Sequence, residues 1–187
     1  MNYFLYLLIG EKQELQDEIL YSLMTLEKVT KNCNFEIVIY TDSNFHVDEI
    51  FPFKVNIVRL EKDQVLEWLS ENNNYFFSLV PILIRDFLSK NEANLIVLDA
   101  DTFFHRDPSE LFDIVQHGDF VLHLNENPLS IRRNIKSYIE EKNFTLKDGT
   151  QFKISERTEM WNAGVIGLNN SSIDLLDDII HLIFQIS

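Results

Sequence analysis

The chain is poor in the residues that mark disulfide-rich, fibrous and loop-rich proteins. It has one cysteine, five glycines and four prolines in 187 residues. An internal disulfide framework and a repetitive fibrous fold are therefore excluded. No histidine or lysine directly adjoins the single thiol, Cys33, so we expect it to be a small buried hydrophobe and not an activated thiolate.

Basic residues are also scarce. Sixteen lysines and arginines face thirty acidic residues, which gives a formal net charge of -14. Such a chain repels nucleic acid and anionic membrane surfaces, and it binds a small polyanion only through a metal ion or a local basic pocket. The apolar start, 1–10, has no basic leader or cleavage site and is too short to span a bilayer. We expect a first strand there, no transmembrane segment and a cytoplasmic protein.

The composition and the length are typical of a globular domain. The hydrophobic fraction is 45%, with 15 phenylalanines, and the length suits a single domain over 1–187. Short apolar runs predict strands at 3–9, 35–40, 55–60, 95–98 and 119–124. Helical spacing of apolar residues predicts helices at 11–31, 61–71, 78–90 and 173–186, and a short one from 107. Alternating strands and helices predict an α/β fold with a mainly parallel central sheet flanked by helices.

The segment 128–160 interrupts this alternation. A basic, helix-like piece at 131–136 precedes a predicted hairpin, whose turn contains Asp148 and Gly149. We interpret the segment as an insertion that shapes a binding site, with a solvated basic face as the alternative. The terminal helix, 173–186, ends without a cap, and we expect the natural chain to continue beyond it.

The most informative feature is an acidic pair that follows a buried strand. Leu95–Leu98 is wholly apolar, and Asp99 and Asp101 come directly after it. Residues two apart on an extended chain point the same way, and two such carboxylates repel unless a cation lies between them. Oxygen ligands favour Mg²⁺ or Mn²⁺. The alternative is that these aspartates simply serve a turn.

The ordered motifs resemble those of nucleotide-sugar glycosyltransferases of the GT-A fold, especially glycogenin-like and lipopolysaccharide galactosyltransferase-like members. The matching residues are, in chain order, Arg85 on the preceding helix, the strand and acidic pair 95–102, Asp107-Pro108 with Leu111-Phe112, and the Asn-Ala-Gly-Val strand 161–169. The resemblance covers most of the chain and fits 128–160 poorly, and this inserted segment would lie near the acceptor side of the site. It implies a Rossmann-like GT-A fold.

The resemblance also implies an activity and roles for the matched residues. A sugar would pass from a nucleoside-diphosphate sugar, commonly a UDP-sugar, to a hydroxyl of a saccharide or glycolipid acceptor, with retention of configuration. Mn²⁺ or Mg²⁺ would bridge the two phosphates. Asp101 would ligate the metal, Asp99 the metal or the ribose, and Arg85 the donor sugar or pyrophosphate. Asn162 would contact the transferred sugar or the acceptor, and Gly164 would let the backbone approach the ligand.

Further donor-binding residues follow from the same resemblance. Gly10, Tyr40 and Asp42 would flank the nucleoside, with Tyr40 stacking on the base, and Ala100 lies between the two aspartates. Each role has a structural alternative. Tyr40 would instead pack in the core, Arg85 would pair on the surface with Asp86 or Asp101, and Asn162 would serve a turn or sheet edge.

One expected residue has no obvious counterpart. The family usually supplies a late histidine as the third metal ligand, and the late histidine here, His181, lies among apolar residues of the terminal helix. We expect His181 to be a helix-face residue. His105, just past the acidic pair, is the nearer candidate for contact with metal or phosphate.

Two rival functions remain open. The same strand and acidic pair resemble the first motif of haloacid-dehalogenase-type phosphatases, in which Asp99 would be the nucleophile and Asp101 the general acid. That family opens its domain with this strand and needs a later lysine and a second acidic pair. A non-catalytic nucleotide-binding module is the other rival. A calcium loop is rejected, because Phe103 and Phe104 stand where a ligand and a glycine are required.

Overall fold

The computed structural model describes residues 1–48, 50–71, 76–131 and 142–186. Its strands are β1 (Asn2–Leu8), β2 (Glu36–Thr41), β3 (Val55–Arg59), β4 (Asn94–Leu98), β5 (Val121–Pro128), β6 (Asn143–Thr145), β7 (Gln151–Lys153) and β8 (Glu159–Asn169). Its α-helices are α1 (Gln13–Val29), α2 (Lys62–Glu71), α3 (Leu79–Lys90), α4 (Ser109–Gln116) and α5 (Ile173–Ile186).

Six strands form one sheet in the order β3-β2-β1-β4-β8-β5. The first four run parallel, and β8 runs antiparallel to both β4 and β5. In register, Leu5 of β1 lies between Val38 of β2 and Val97 of β4. The predicted α/β fold with a mainly parallel sheet flanked by helices is confirmed.

Helices cover both faces of this sheet, which is why its central strands are almost wholly apolar. On one face Phe4 and Tyr6 pack with residues of α1 and α4, and the Tyr6 hydroxyl lies 2.8 Å from that of Ser22. On the other face Leu5 and Val97 pack with residues of α3 and α5. Alternate side chains of β1 therefore pack into the two cores on opposite faces of the sheet.

Most predicted elements appear within two residues of their expected bounds, but two local predictions were wrong. Ser78 stands at the start of the predicted helix 78–90, where a serine is expected to cap the first turn, yet it lies in a 3₁₀ turn with helical dihedral angles and its side chain makes no cap hydrogen bond. Cys33 is exposed, because it lies in the connection between α1 and β2 and not on a packed element.

Within 128–160 the structure shows the predicted hairpin, β6 and β7, with Gly149 at φ +88° in its turn. The hairpin packs on α5, where the Thr145 N–H donates to Gln185 Oε1 at 3.0 Å and Gln185 Nε2 donates to the Thr145 carbonyl at 2.6 Å. Most of the predicted basic piece, 132–136, lies outside the described residues. The role of this segment on the acceptor side stays a prediction.

Candidate active site

The acidic pair lies at the carboxyl end of β4, in the middle of the sheet. The Asp99 N–H donates to the Gly164 carbonyl of β8 at 3.0 Å, and the Thr102 N–H donates to the Asp99 carbonyl at 3.0 Å. These bonds fix a turn that presents Asp99 and Asp101 to one cavity of about 620 Å³. Open α/β sheets bind ligands at this edge.

The charge of Asp101 acts on Asp99. Partial burial raises the pKa of Asp99, repulsion by Asp101 raises it further, and attraction by His123 opposes both. A positive charge placed between the two aspartates would relieve this repulsion. The pair is therefore suited to a cation.

The N-terminal half of β8 meets the acidic pair because β8 runs antiparallel to β4. Asn162 Oδ1 accepts a hydrogen bond from the Gly164 N–H at 2.8 Å and lies 3.2 Å from His123 Nδ1. Asn162 Nδ2 donates to Glu126 Oε1 at 3.2 Å. The Asn162 amide is thus held by three neighbours beside Asp99.

Gly164 leaves a space that any other residue would occupy. A Cβ at this position would lie 2.8 Å from Asn162 Oδ1, 3.3 Å from Asp99 Oδ2 and 3.5 Å from His123 Nδ1. The position of the missing Cβ is therefore surrounded by polar side-chain atoms of Asn162, Asp99 and His123. The close approach of the backbone to a ligand, which the resemblance implied for Gly164, stays a prediction.

The residues expected around the nucleoside divide into two groups. Gly10, at φ +90°, donates its N–H to Asp42 Oδ1 at 2.7 Å, so the ends of β1 and β2 meet as expected. Tyr40 is only 6% exposed and packs in the core, which agrees with the structural alternative for its ring. Burial, with the nearby Asp86, raises the pKa of its hydroxyl to about 12.

Arg85 and Ala100, the other two residues expected at the donor site, lie in different surroundings. Arg85 Nε donates to Asp177 Oδ1 at 2.9 Å in a surface ion pair, although Asp86 or Asp101 was the expected partner. Its side chain lines neither the cavity at Asp99 and Asp101 nor a second cavity that also includes Asp99. Ala100 lines the second of them, which lies on the α3 and α5 side.

Asp177 joins three elements, since Lys147 Nζ of the hairpin also pairs with it at 3.0 Å. Hydrogen bonds from Lys147 and then Arg85 lower the pKa of Asp177. A lowered folded pKa gives stability that is present above the unfolded pKa and lost as the pH falls through the folded one.

We expect Asp177→Asn to cost about 0.5–1 kcal/mol at pH 7, because both partners are largely exposed and solvent screens the pairs. The cost should shrink as the pH falls below about 4. Urea unfolding of both proteins at several pH values measures it, with the exposed Asp174→Asn as control. If the destabilisation were the same at low pH, the ion pairs of Asp177 with Lys147 and Arg85 would not be its cause.

The second cavity is larger and apolar. It has a volume of about 740 Å³ and runs between α3, α5 and the sheet, where Val80, Leu122 and Ile179 contribute to its walls. Asp99 and Asn162 line this cavity as well as the first one. The two cavities therefore meet at Asp99 and Asn162, whereas Asp101 lines only the first.

His123 is the residue that sequence reasoning missed. It stands on β5, one strand beyond β8, and lines the first cavity with Asp99 and Asp101. The available signal was a histidine among the apolar residues 120–124 of a predicted strand. His105 also lines this cavity, with its ring 4.8 Å from that of Phe103, whereas His181 lies on α5 as expected.

The residues at this site suit a divalent cation. Across the four described ranges, no group of three or more histidine, cysteine, aspartate or glutamate residues is placed so that it could hold a metal ion. Two mutually repelling carboxylates nevertheless share a cavity with the side-chain-free space at Gly164. That donor chemistry fits Mg²⁺ or Mn²⁺.

Comparison with known proteins adds a likeness of fold. No family model matches the chain, and no curated protein matches its sequence. Among solved structures the chain is similar to mouse xyloside xylosyltransferase 1 in its apo form, with 13% identity and a TM-score of 0.58, over 97% of this chain and 70% of that one. This likeness shows that the chain has a Rossmann-like glycosyltransferase fold. None of its helices, in the part of the chain that the structure describes, is both long and apolar enough to cross a membrane.

Proposed function

We propose that this chain is a metal-dependent glycosyltransferase that moves a sugar from a nucleoside-diphosphate sugar, foremost a UDP-sugar, to an acceptor hydroxyl with retention. The observation that carries the proposal is the meeting of Asp99 and Asp101 with Asn162 and Gly164 at one cavity, on a sheet of this fold. Each of these residues lies at the sheet edge where α/β folds bind nucleotides.

The residues would divide the work by their chemistry. Asp101, with Asp99, would hold Mn²⁺ or Mg²⁺. The bound ion would offset the charge of the diphosphate leaving group. Gly10 and Asp42, joined by their hydrogen bond, would flank the nucleoside, with Ala100 beside it. Arg85 would need to leave Asp177 before it could hold the donor.

The apolar cavity supports a glycolipid over a plain saccharide as acceptor. It opens at Asp99 and Asn162, where the reacting hydroxyl would lie, and its walls are mainly aliphatic. Each methylene buried there would contribute up to about 0.8 kcal/mol. An acceptor with an apolar tail would therefore bind more tightly than the same sugar without one.

Release of UDP tests the proposal. The protein would be incubated with Mn²⁺ and a panel of UDP-sugars, including UDP-xylose because the structural neighbour is named a xylosyltransferase. We expect UDP release that EDTA abolishes. Octyl glycosides as acceptors should lower KM by roughly tenfold or more relative to the free sugars.

The rivals give different results. UDP binding without turnover on any sugar would favour the non-catalytic module. A beryllofluoride complex on Asp99 would favour the phosphatase, although no lysine among the described residues lines the cavity at Asp99 and Asp101. Neither result is expected.

A further inference from the structure

A buried serine lines the apolar cavity. Ser172 lies in the short 3₁₀ turn between β8 and α5, contributes to the cavity wall and is only 4% exposed. Other buried hydroxyls of the chain are hydrogen-bonded, that of Ser22 to Tyr6 and those of Thr41 and Ser43 to each other. Among the residues described, no hydrogen bond reaches the hydroxyl of Ser172. A buried hydroxyl without a partner is uncommon and calls for an explanation.

The hydroxyl of Ser172 is open to the cavity. Over residues 1–48, 50–71, 76–131 and 142–186, Thr30 Oγ1 is the side-chain oxygen that is both fully enclosed and without a partner. The hydroxyl of Ser172 is therefore not enclosed. Since the residue is otherwise buried, the space that its hydroxyl meets is the cavity that it lines.

Ser172 lies at the inner end of this cavity. Alternate residues of β8 from Asn162 to Leu168 line it, because they share one face of the strand. From Gly164, beside the opening, to Leu168 the strand advances by four residues, which is about 13 Å. Leu168, Ser172 and Leu176 of α5 line the cavity at that depth and are each at most 4% exposed, so the cavity is closed there.

The hydroxyl at the closed end affects which ligands the cavity accepts. A wholly apolar chain that reached this end would cover the hydroxyl of Ser172 and leave it without a partner, which weakens binding. A hydrogen-bonding group at the end of the chain would instead pair with the hydroxyl. A site that offers such a bond discriminates against an analogue that lacks the group.

We propose that Ser172 is a specificity-determining residue, and that the acceptor carries a hydrogen-bonding oxygen at the inner end of its aliphatic segment. The acceptor is an amphipathic glycoside, with its sugar at Asp99 and Asn162, an aliphatic segment along β8 and an oxygen at Ser172. The inference rests on the glycolipid acceptor of the proposed function, but binding in the cavity requires no sugar transfer and can be measured without it.

Alkyl glycosides that differ only at the chain end test the proposal. Hexyl, octyl and decyl glycosides would be compared with the same compounds carrying a terminal hydroxyl, by titration calorimetry with and without Mn²⁺ and UDP. At the length that reaches Ser172, we expect the hydroxyl-ended compound to bind roughly 2–10-fold more tightly than the methyl-ended one. In Ser172→Ala the order should reverse, because the terminal hydroxyl would then be buried without a partner.

Ser171→Ala is the matched control. It makes the same change one residue away, where the hydroxyl is exposed and donates to Asn169 Oδ1. This variant should keep the preference for the hydroxyl-ended compound. With a UDP-sugar as donor, KM for the acceptor should follow the same order and kcat should not, because the inner end of the cavity lies far from the reacting hydroxyl.

Three results would overturn the proposal. Tighter binding of the methyl-ended compound at every length would show that the chain end meets no hydrogen-bonding group. The same order in Ser172→Ala as in the unaltered chain would show that another residue selects the chain end. Absence of binding of every glycoside would remove the site, while UDP release with a free sugar as acceptor would leave the glycosyltransferase function intact. Reversal in Ser172→Ala without turnover of any UDP-sugar would instead support the inference and contradict the proposed function.

Discussion

Replacing Asp101 with alanine should abolish the metal-dependent binding of UDP. We expect UDP to bind the unaltered chain in the presence of Mn²⁺ and the Asp101→Ala variant to bind about 100-fold more weakly, a loss of about 2.7 kcal/mol. A net charge of -14 makes the unassisted binding of a diphosphate unfavourable, so the nucleotide depends on the cation. Titration calorimetry with and without Mn²⁺ measures the effect.

The control is Asp113→Ala, which makes the same change of charge on the exposed face of α4 and outside the lining of the cavity. It should bind UDP like the unaltered chain. Equal weakening in both variants would show that only overall charge matters. Binding of UDP that is unaffected by Mn²⁺ or by Asp101→Ala would contradict the metal site.

Replacing either of two glycines of β8 with alanine should have different effects: the change at Gly164 should weaken ligand binding, and the change at Gly167 should lower stability. At Gly164 the new Cβ would meet Asn162 Oδ1 at 2.8 Å and Asp99 Oδ2 at 3.3 Å, both ends of side chains that can move aside. We expect little change in the free energy of unfolding. The strain destabilises the folded state, but alanine also lowers the conformational entropy of the unfolded chain, and the two effects offset each other. Mn²⁺ and UDP binding should fall by at least about tenfold, since the new methyl group displaces site atoms.

At Gly167 the same methyl group would enter the core. It would lie 2.8 Å from Val115 Cγ2, 2.8 Å from Val121 Cβ and 2.9 Å from Ile96 Cδ1. Overpacking costs about 1–3 kcal/mol, which exceeds the about 0.4–1 kcal/mol gained through the unfolded chain. Thermal unfolding should show a Tm lower by about 2–4 °C for each kcal/mol lost.

Each glycine variant is the control for the other. Gly167→Ala should keep UDP binding well below its Tm, and Gly164→Ala should keep its Tm. If Gly164→Ala lost stability and kept binding, the space at Gly164 would be packing geometry and not a ligand cradle. The two measurements together therefore locate the site on β8.

The sequence predicted the parallel half of the sheet well, because its signals are local. Leu95–Leu98 is apolar on both sides, as a strand covered on both faces must be, and Asp99 marks its end. The direction of β8 was not predictable in this way. An apolar strand reads the same in either direction, and its orientation depends on the path of the preceding chain.

The candidate site was predicted in part for the same reason. Asp99 and Asp101 are adjacent in sequence and were found by spacing alone. His123 reaches them only through the pairing of β5 with β8, and the partner of Arg85 lies 92 residues away on α5. Contacts between distant segments leave no periodic trace in the sequence, so a lone histidine in a strand looked like any other strand residue.

The two halves of β8 differ in how firmly the sheet holds them. Val165–Asn169 pair with β4 along their length and the Gly164 carbonyl accepts the Asp99 N–H, whereas 159–163 have only the irregular ladder with β5, a strand at the edge of the sheet. Amides that open independently of global unfolding belong to such weakly paired segments. The half that carries Asn162 should therefore exchange hydrogen much faster than the half that builds the core, so the site can rearrange around a ligand while the domain stays folded.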